Sequence, residues 1–392
     1  MAALQSISKN GGAMHMNSNN LDHLISSYID HFERINNDTN NENYKWCAIV
    51  DFQAAFDLSA ADDAFADMLK KSRDATSNLI DSSTQPFFGL VELAKREPAA
   101  IRRLLKDLLA DDGSNLALRQ EKINTFVKDC NCLVERYFPG SYLYRNDQRS
   151  AMAYQFLNDP ENHYLYKATE SKFFADCVGF YDDWGSMAEF KLDIFYRFCD
   201  EVLAGLKANQ ALLDTHKSRF AYAKKPMYPD PSLHVLLFDL IYCAHTYDLY
   251  AGCHFEKITA AARKLYLERR AKARALAAAL REAENAAVLL DEARTYFGRA
   301  LTSGAAITHK TFGAVDAVRI DGAQVILKIR KTGDLKKFGL LNCISNGFIK
   351  IDVPDFGERL EKYKDILPRE YSLPKACARA REALRPYEEY LD

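Results

Sequence analysis

The sequence predicts a mainly α-helical protein: a multi-helix domain, a long coiled-coil-like helix, a small antiparallel β-barrel and closing helices. Three observations predict this. Apolar residues recur at helical spacing from about Leu21 to Gly252. A stretch around 256–302 has no proline, and no glycine before Gly298. After Ser303 and Gly304 the pattern switches to short alternating runs separated by turn dipeptides.

The chain has 392 residues, 48% of them hydrophobic, which suffices for one large domain or two to three small ones. The formal net charge of −2 excludes a global polyelectrolyte pull toward nucleic acid or membrane, so any such attraction must be local. Nine scattered cysteines and an opening without a secretory h-region point to a reduced, cytoplasmic location. Residues 1–20 read as a tail. Within it "MAALQSISKNGGAMH" (1–15) has the look of a cloning remnant and takes no part in the fold reasoning.

The helical domain is assigned to 21–252. In "REPAAIRRLLKDLLADDG", Pro98 sits where a first turn tolerates a missing N–H, and Ile101, Leu104, Leu105, Leu108 and Leu109 mark one apolar face. Gly113 punctuates the end. Ser59 with Asp62 suggests a weak capping box, and Ser232 a cap for the helix that follows "MYPDPS". The most apolar run, "LHVLLFDLIYCAHTYDLYAG", carries Asp239, His245 and Asp248 and suits a buried core helix, not a membrane span.

The long helix is assigned to 253–303, roughly 65 Å at 1.5 Å per residue. Leu276, Leu280, Ala283, Ala287, Leu290 and Phe297 form a narrow seam suited to an antiparallel partner. Its first half holds seven Arg or Lys against Glu268 over 263–281. A solvated face is the plain reading of that charge run. The barrel is assigned to 304–352, with hairpin signals at Asp321–Gly322 and at "TGD" (332–334), and with Phe312, Val318, Val325, Leu327 and Ile329 inward. Eight cations oppose four aspartates there. Residues 353–392 return to helix, broken by Pro354, Pro368 and Pro374.

The residues that invite a function are "SYLYRNDQRSAMAYQFLNDPENHYLYK" (141–167), where tyrosines alternate with cations. Tyr and Arg together suit an interface, and unpaired bases stack on such rings. Tyrosines on amphipathic helices are also ordinary core residues with a wet hydroxyl. A nucleic-acid site would use Tyr142, Tyr144, Arg145, Arg149, Tyr164 and Tyr166 for selectivity. Arg263, Lys264, Arg269, Arg270, Lys272 and Arg274 on the helix would meet phosphates, as would Lys328, Arg330, Lys331, Lys336 and Lys337 on the barrel. A small anionic or nucleotide ligand is the other functional reading of the aromatic stretch.

Catalytic and cofactor chemistry finds little purchase. The dipeptide Gly-Lys does not occur, so there is no phosphate loop of the G-x-x-x-x-G-K-[ST] type, and hydrolysis of ATP or GTP by that route is not expected. Cys243, His245, Cys253 and His254 match no common zinc spacing, and two residues two apart on a helix face apart. Glu170 and Lys172 in "TESK" lack the strand a nuclease core needs. No catalytic residue, metal or cofactor is assigned.

Two resemblances add to this. "ITHKTFGAVDAV", with His309, Phe312, Gly313 and Val315, resembles the start of small Tudor- or SH3-like barrels appended to bacterial helicases and transcription factors. Ala314 and Asp316 depart from their second glycine. Such barrels bind protein or nucleic acid. "ENYKWCAIVDFQAAFDLSAADDAFADMLKKSRDATSNLID", "YRNDQRSAMAYQFLNDPENHYLYKATESKFFADCVGF" and "PSLHVLLFDLIYCA" are similar to the region that precedes the motor in bacterial McrB-type AAA restriction proteins. That resemblance implies a target-recognition or assembly unit of a defence system, without its own motor. Nucleic acid would be its partner, DNA before RNA, with a protein partner carrying the motor or nuclease. A protein-interaction scaffold, docking through the long helix and barrel, and an enzyme with an unrecognised site are the alternatives.

Overall fold

The computed structural model describes residues 16–76, 79–221, 223–255 and 258–391, so the reading of residues 1–15 lies outside the described residues. The chain divides into two compact units, Met14–Arg263 and Lys264–Asp392. The first is all helix: α1 (Ser18–Asp30), α2 (Phe32–Ile35), α3 (Tyr44–Ala55), α4 (Asp62–Ala75), α5 (Pro86–Ala94), α6 (Pro98–Leu109), α7 (Leu116–Tyr137), α8 (Gln148–Asn158), α9 (Ala168–Cys177), α10 (Leu192–Ala208), α11 (Gln210–Ala221) and α12 (His234–Thr246). The division falls inside α13 (Ala260–Thr302), which is shorter at its start than the sequence suggests.

Local chemistry explains the boundaries. Pro98 opens α6 as expected, and Ile101, Leu104, Leu105 and Leu108 are its buried face. Asn115 caps α7 by accepting from the backbone N–H groups of Ala117 and Leu118, each at 3.1 Å. The two other expected caps are absent. Ser59 bonds Asp57 instead of the start of α4, which begins after Ala61. Ser232 leaves its buried hydroxyl without a partner, while Asp230 accepts from Val235 N–H (3.1 Å) and Leu236 N–H (2.9 Å) at the start of α12. The carboxyl reaches both donors, and although burial pushes it up to about 7, these two N–H bonds favour its charged form.

The core of the first unit is aromatic. Trp46, Phe52, Phe87, Phe126, Phe195 and Phe198 are almost wholly buried. Rings meet edge to face, as Tyr154 does with Phe87 (5.2 Å) and Phe126 (5.8 Å). Helix α12 is a buried core helix, as its sequence suggests, and no described helix is long and apolar enough to cross a membrane.

Asp239 sits fully buried on α12 and is the centre of a charged network. It accepts from Lys45 Nζ at 2.5 Å and from the hydroxyl of Tyr28, with Arg219 at 3.5 Å and Glu42 at 2.9 Å from the same ammonium. Among the described residues, Glu42, Asp239 and Cys243 are the one group of ligand-type atoms that converges as a metal would require. The Lys45 ammonium already lies against both carboxylates there. Cys243 is buried and His245 exposed, so these two diverge on their helix.

The second unit carries a five-stranded antiparallel sheet, β1 (Ile307–His309), β2 (Gly313–Asp321), β3 (Gln324–Ile329), β4 (Leu335–Gly339) and β5 (Ile349–Ile351), in the order β4-β3-β2-β1-β5. It is an open sheet. Edge strands β4 and β5 are not paired, so the expected barrel closure is not present. The short helix α14 (Leu340–Ser345) connects them. Helices α15 (Phe356–Tyr363) and α16 (Leu373–Leu384) follow. One sheet face buries Val315, Val325, Leu327, Ile329, Ile349 and Ile351 in a core shared with Leu290, Ala293 and Phe297 of α13.

Val325, Leu327 and Ile329 face inward as expected, but Val318 is 54% exposed and Phe312 is only half-buried. Val318 follows inward Val315 and Ala317 by three and one residues, so alternation itself turns it outward, and a bulge lies between Ala317 and Arg319. The bulge inserts one extra residue, so the alternation restarts a step late and Ile320, opposite Val325, takes the inward place.

The long helix has its antiparallel partner. Arg294 meets Glu370 (3.7 Å), Glu284 meets Arg381 (2.7 Å), Lys272 donates to the Tyr387 hydroxyl (2.7 Å) and Arg269 to that of Tyr390 (2.9 Å). Residue numbers fall along one strand of contacts as they rise along the other. Ala283, Ala286, Leu290, Ala293, Phe297 and Ala300 form the buried seam, while Leu276, Leu280 and Ala287 lie half-buried at its margin.

Candidate functional site

The aromatic stretch at 141–167 separates into core and cleft. Tyr164 and Tyr166 are 4% exposed, which corrects their assignment as stacking residues. Tyr164 donates to Asp200 at 2.6 Å, and Tyr166 accepts from the Trp184 indole at 3.1 Å. Burial pushes both phenols up. Tyr144 is half-buried between Phe88 and Phe138, and a Cβ on Gly89 would stand 2.7 Å from it. It anchors the loop and presents no free ring face. Tyr142 remains, 71% exposed.

Tyr142, Arg145 and Arg149 line one cleft of about 460 Å³, within the usual range for small-molecule pockets. Its wall is α7, where Asn124, Val127, Lys128 and Asn131 stand three, four and seven apart and so share a face. Its floor is the start of α8, and its far lip is Met187 in the 185–190 loop.

The loop that carries Tyr142 and Arg145 is fixed at several points. Asn131 donates through Nδ2 to the Asn146 carbonyl (2.8 Å) and accepts from Asn146 N–H through Oδ1 (2.9 Å). Gln85 N–H donates to the Leu143 carbonyl at 2.8 Å. Asp147 and Ser150 form a reciprocal capping box at the start of α8. The opposite loop is closed by Lys191 N–H on the Trp184 carbonyl (2.7 Å). Gly185, at φ +70°, turns so tightly that a Cβ would collide with the Glu189 carbonyl. Met187 itself sits at φ +51° and is 70% exposed. A non-glycine residue held left-handed costs energy, and such costs gather at functional sites.

Charge and free polar groups are both present. Arg145 pairs with Glu135 (2.7 Å) and Arg149 with Asp147 (2.6 Å), both at the surface. Lys128 has no acidic partner among the described residues. Gln148 is 6% exposed, lines the cleft, and makes no side-chain hydrogen bond with the described residues. Sequence reasoning missed Gln148, Lys128 and Met187. The spacing 124-127-128-131 was a signal for the first wall, but nothing local marks Gln148 as unpartnered.

The proposed phosphate contacts divide in the same way. Arg263 is an anchor: it pairs with Asp176 and donates to the Tyr181 carbonyl at 3.0 Å. Arg269 and Lys272 are engaged with Tyr390 and Tyr387. Arg270 is half-buried and Arg274 exposed, and both have partners, while Lys264 is exposed. The helix face is thus largely spoken for by its own protein. On the sheet, Lys336 lies opposite inward-facing Leu327, with its ammonium 4.5 Å from the Phe312 ring centre, and so belongs to the inner side of the edge.

Lys328, Arg330 and Lys337 point outward from the sheet, joined by Lys350 and by Arg319, which the sequence reading did not single out. Asp316 pairs with Arg330 (2.7 Å) and Asp321 with Arg319 (3.4 Å). Lys337 and Lys350 stay without an acidic partner among the described residues, as does exposed Lys331 beyond β3, while Lys328 stands opposite Asp316 and, after Arg330, helps to lower its carboxyl. Val318 and Leu335 are exposed on that outer side.

No protein-family model, curated protein or solved structure matches this chain.

Proposed function

We propose that this protein is a non-catalytic nucleic-acid-binding recognition or accessory component of a bacterial defence or restriction system, working in the cytoplasm without a motor of its own. The observation that carries the reading is the outer sheet face, where Lys328, Lys337 and Lys350 stand exposed on one side of the sheet and no described residue holds any of them in a close ion pair. Phosphate backbones are bound by such cations through counterion release, without sequence readout. The likeness of 307–315 to Tudor- or SH3-like modules and of the helical unit to McrB-type recognition regions supports DNA as the polymer, and a separate protein as the source of motor or nuclease.

The test is fluorescence anisotropy on single- and double-stranded DNA and RNA at two salt concentrations, with the intact chain and with Lys328, Lys337 and Lys350 replaced by Ala. Binding should weaken with salt, and the triple variant should lose roughly one unit of log–log slope per lost phosphate contact. Dissociation constants above about 100 µM for every oligonucleotide at low salt would end this reading. The second reading, a protein-docking scaffold, is favoured by Val318 (54% exposed) and Leu335 (62%) on the same face, since exposed apolar side chains among charges suit a protein partner.

A further inference from the structure

We propose that the cleft between α7, the start of α8 and the 185–190 loop is a binding site for a free nucleotide of mononucleotide size, distinct from the polymer contact on the sheet. This goes beyond the nucleic-acid reading and does not depend on it. Four observations converge. The cleft holds about 460 Å³, room for a base, a sugar and a phosphate. Two large exposed side chains, Tyr142 and Met187, form its lips, and an aromatic face opposite a polarisable thioether suits a flat ring.

The third observation is Gln148. The residue is 6% exposed and lines the cleft, yet no described residue hydrogen-bonds its carboxamide. An amide that opens on a cleft and is held by no described residue is available to whatever enters. A carboxamide offers a donor and an acceptor side by side, which matches the amide or amidine edge of a nucleobase. The fourth is charge. Lys128, Arg145 and Arg149 line the cleft; Glu135 and Asp147 pair with the two arginines, which leaves Lys128, without an acidic partner among the described residues, to take an anionic group.

The arrangement assigns roles. The ring lies between Tyr142 and Met187, Gln148 reads its polar edge, and Lys128 with the two arginines holds the phosphate. A site built to hydrogen-bond a base edge rejects bases that cannot pair with it, because the amide is then left unsatisfied.

The experiment is isothermal titration of the intact protein with the common ribo- and deoxyribonucleoside 5′-monophosphates, the corresponding nucleosides and inorganic phosphate. The expected result is binding of at least one nucleotide, with a tenfold or greater preference among bases. Gln148→Leu should weaken it tenfold or more and flatten the base preference. Lys128→Ala should weaken the nucleotide but not its nucleoside. Because the Gln148 amide has no partner to lose, Gln148→Leu should keep its melting temperature; should it fail to fold, Tyr142→Ala at the exposed lip gives the same loss of affinity. The proposal is overturned if no nucleotide binds at about 1 mM, if inorganic phosphate binds as tightly as any nucleotide, or if the lip and floor variants bind as the natural chain does. The sheet variant lacking Lys328, Lys337 and Lys350 should bind nucleotide unchanged, so failure of the polymer reading and failure of this one are told apart.

Discussion

Asp239 shows what a single residue decides here. Two cations, Lys45 and Arg219, converge on one fully buried carboxylate, and Tyr28 donates to it as well. The Lys45 and Arg219 charges hold its carboxyl below the ordinary carboxylate range despite burial. Replacing Asp239 by Ala leaves two buried cations with Glu42 alone to oppose them. The expected loss is ~3–5 kcal/mol in chemical denaturation followed by Trp fluorescence, because breaking a buried pair strands its partner. An equal stability of Asp239→Ala and the natural chain would show that water reaches the network. His163 and His216 are both acid-sensitive, each lowered to about 4 chiefly by burial. At His163, burial, with Arg119 nearby, lowers the imidazole to about 4, while Asp112, Asp159 and His234 also face it. The unfolded chain takes up that proton near pH 6.5 and the folded chain only near 4. Between those values the unfolded state binds more protons, so stability falls as pH drops, by at most ~1.4 kcal/mol per pH unit for this group. His163→Gln should make the melting temperature less dependent on pH between 6.5 and 4, and an unchanged slope would place the acid sensitivity elsewhere.

Elements are decided by which face each one buries. The seam of α13 is built mostly of buried alanines, so an added group there must displace its packed neighbours. Ala283→Glu buries a carboxylate there and should cost ~2–3 kcal/mol. Ala279→Glu on the exposed side should leave the melting temperature unchanged, and similar effects for both substitutions would mean that the seam does not pack. Strand β2 teaches the complementary lesson. Its alternation puts Val315 and Ala317 inward and Val318 outward, and one inserted residue then brings Ile320 inward in place of Arg319. A bulge has no sequence signature of its own in this strand, since β-branched residues flank it on both sides. The helix caps behave alike. Ser59 and Ser232 have the right type, but Ala61 and Asp230 hold the places that matter.

At the scale of the whole molecule, the polymer contact and the nucleotide site proposed above would reside in different units and should fail separately. The sheet variant should lose salt-dependent oligonucleotide binding, and Gln148→Leu should lose nucleotide binding. Absence of a phosphate loop predicts no turnover of ATP or GTP, checked by release of inorganic phosphate. Metal-dependent hydrolysis that follows the protein through purification would overturn that expectation.

Periodicity alone determined the mainly helical class, the apolar face of α6, the buried character of α12, the Ala283, Leu290 and Phe297 part of the long helix's seam and the switch to short strands after Gly304. These are local properties, set by spacing within one element, and the chain carries them wherever it goes. Only the tertiary structure decided that Tyr164 and Tyr166 are core while Tyr142 is surface, because all three share the same polar neighbourhood in the chain. It also decided that the basic helix spends Arg263, Arg269 and Lys272 on its own protein, that the sheet stays open, and that Lys45 meets Asp239 across 194 residues of chain. Gln148 is the plainest case. A glutamine at the first turn of a helix is ordinary in sequence, and what sets it apart is the missing partner, a property of everything folded around it.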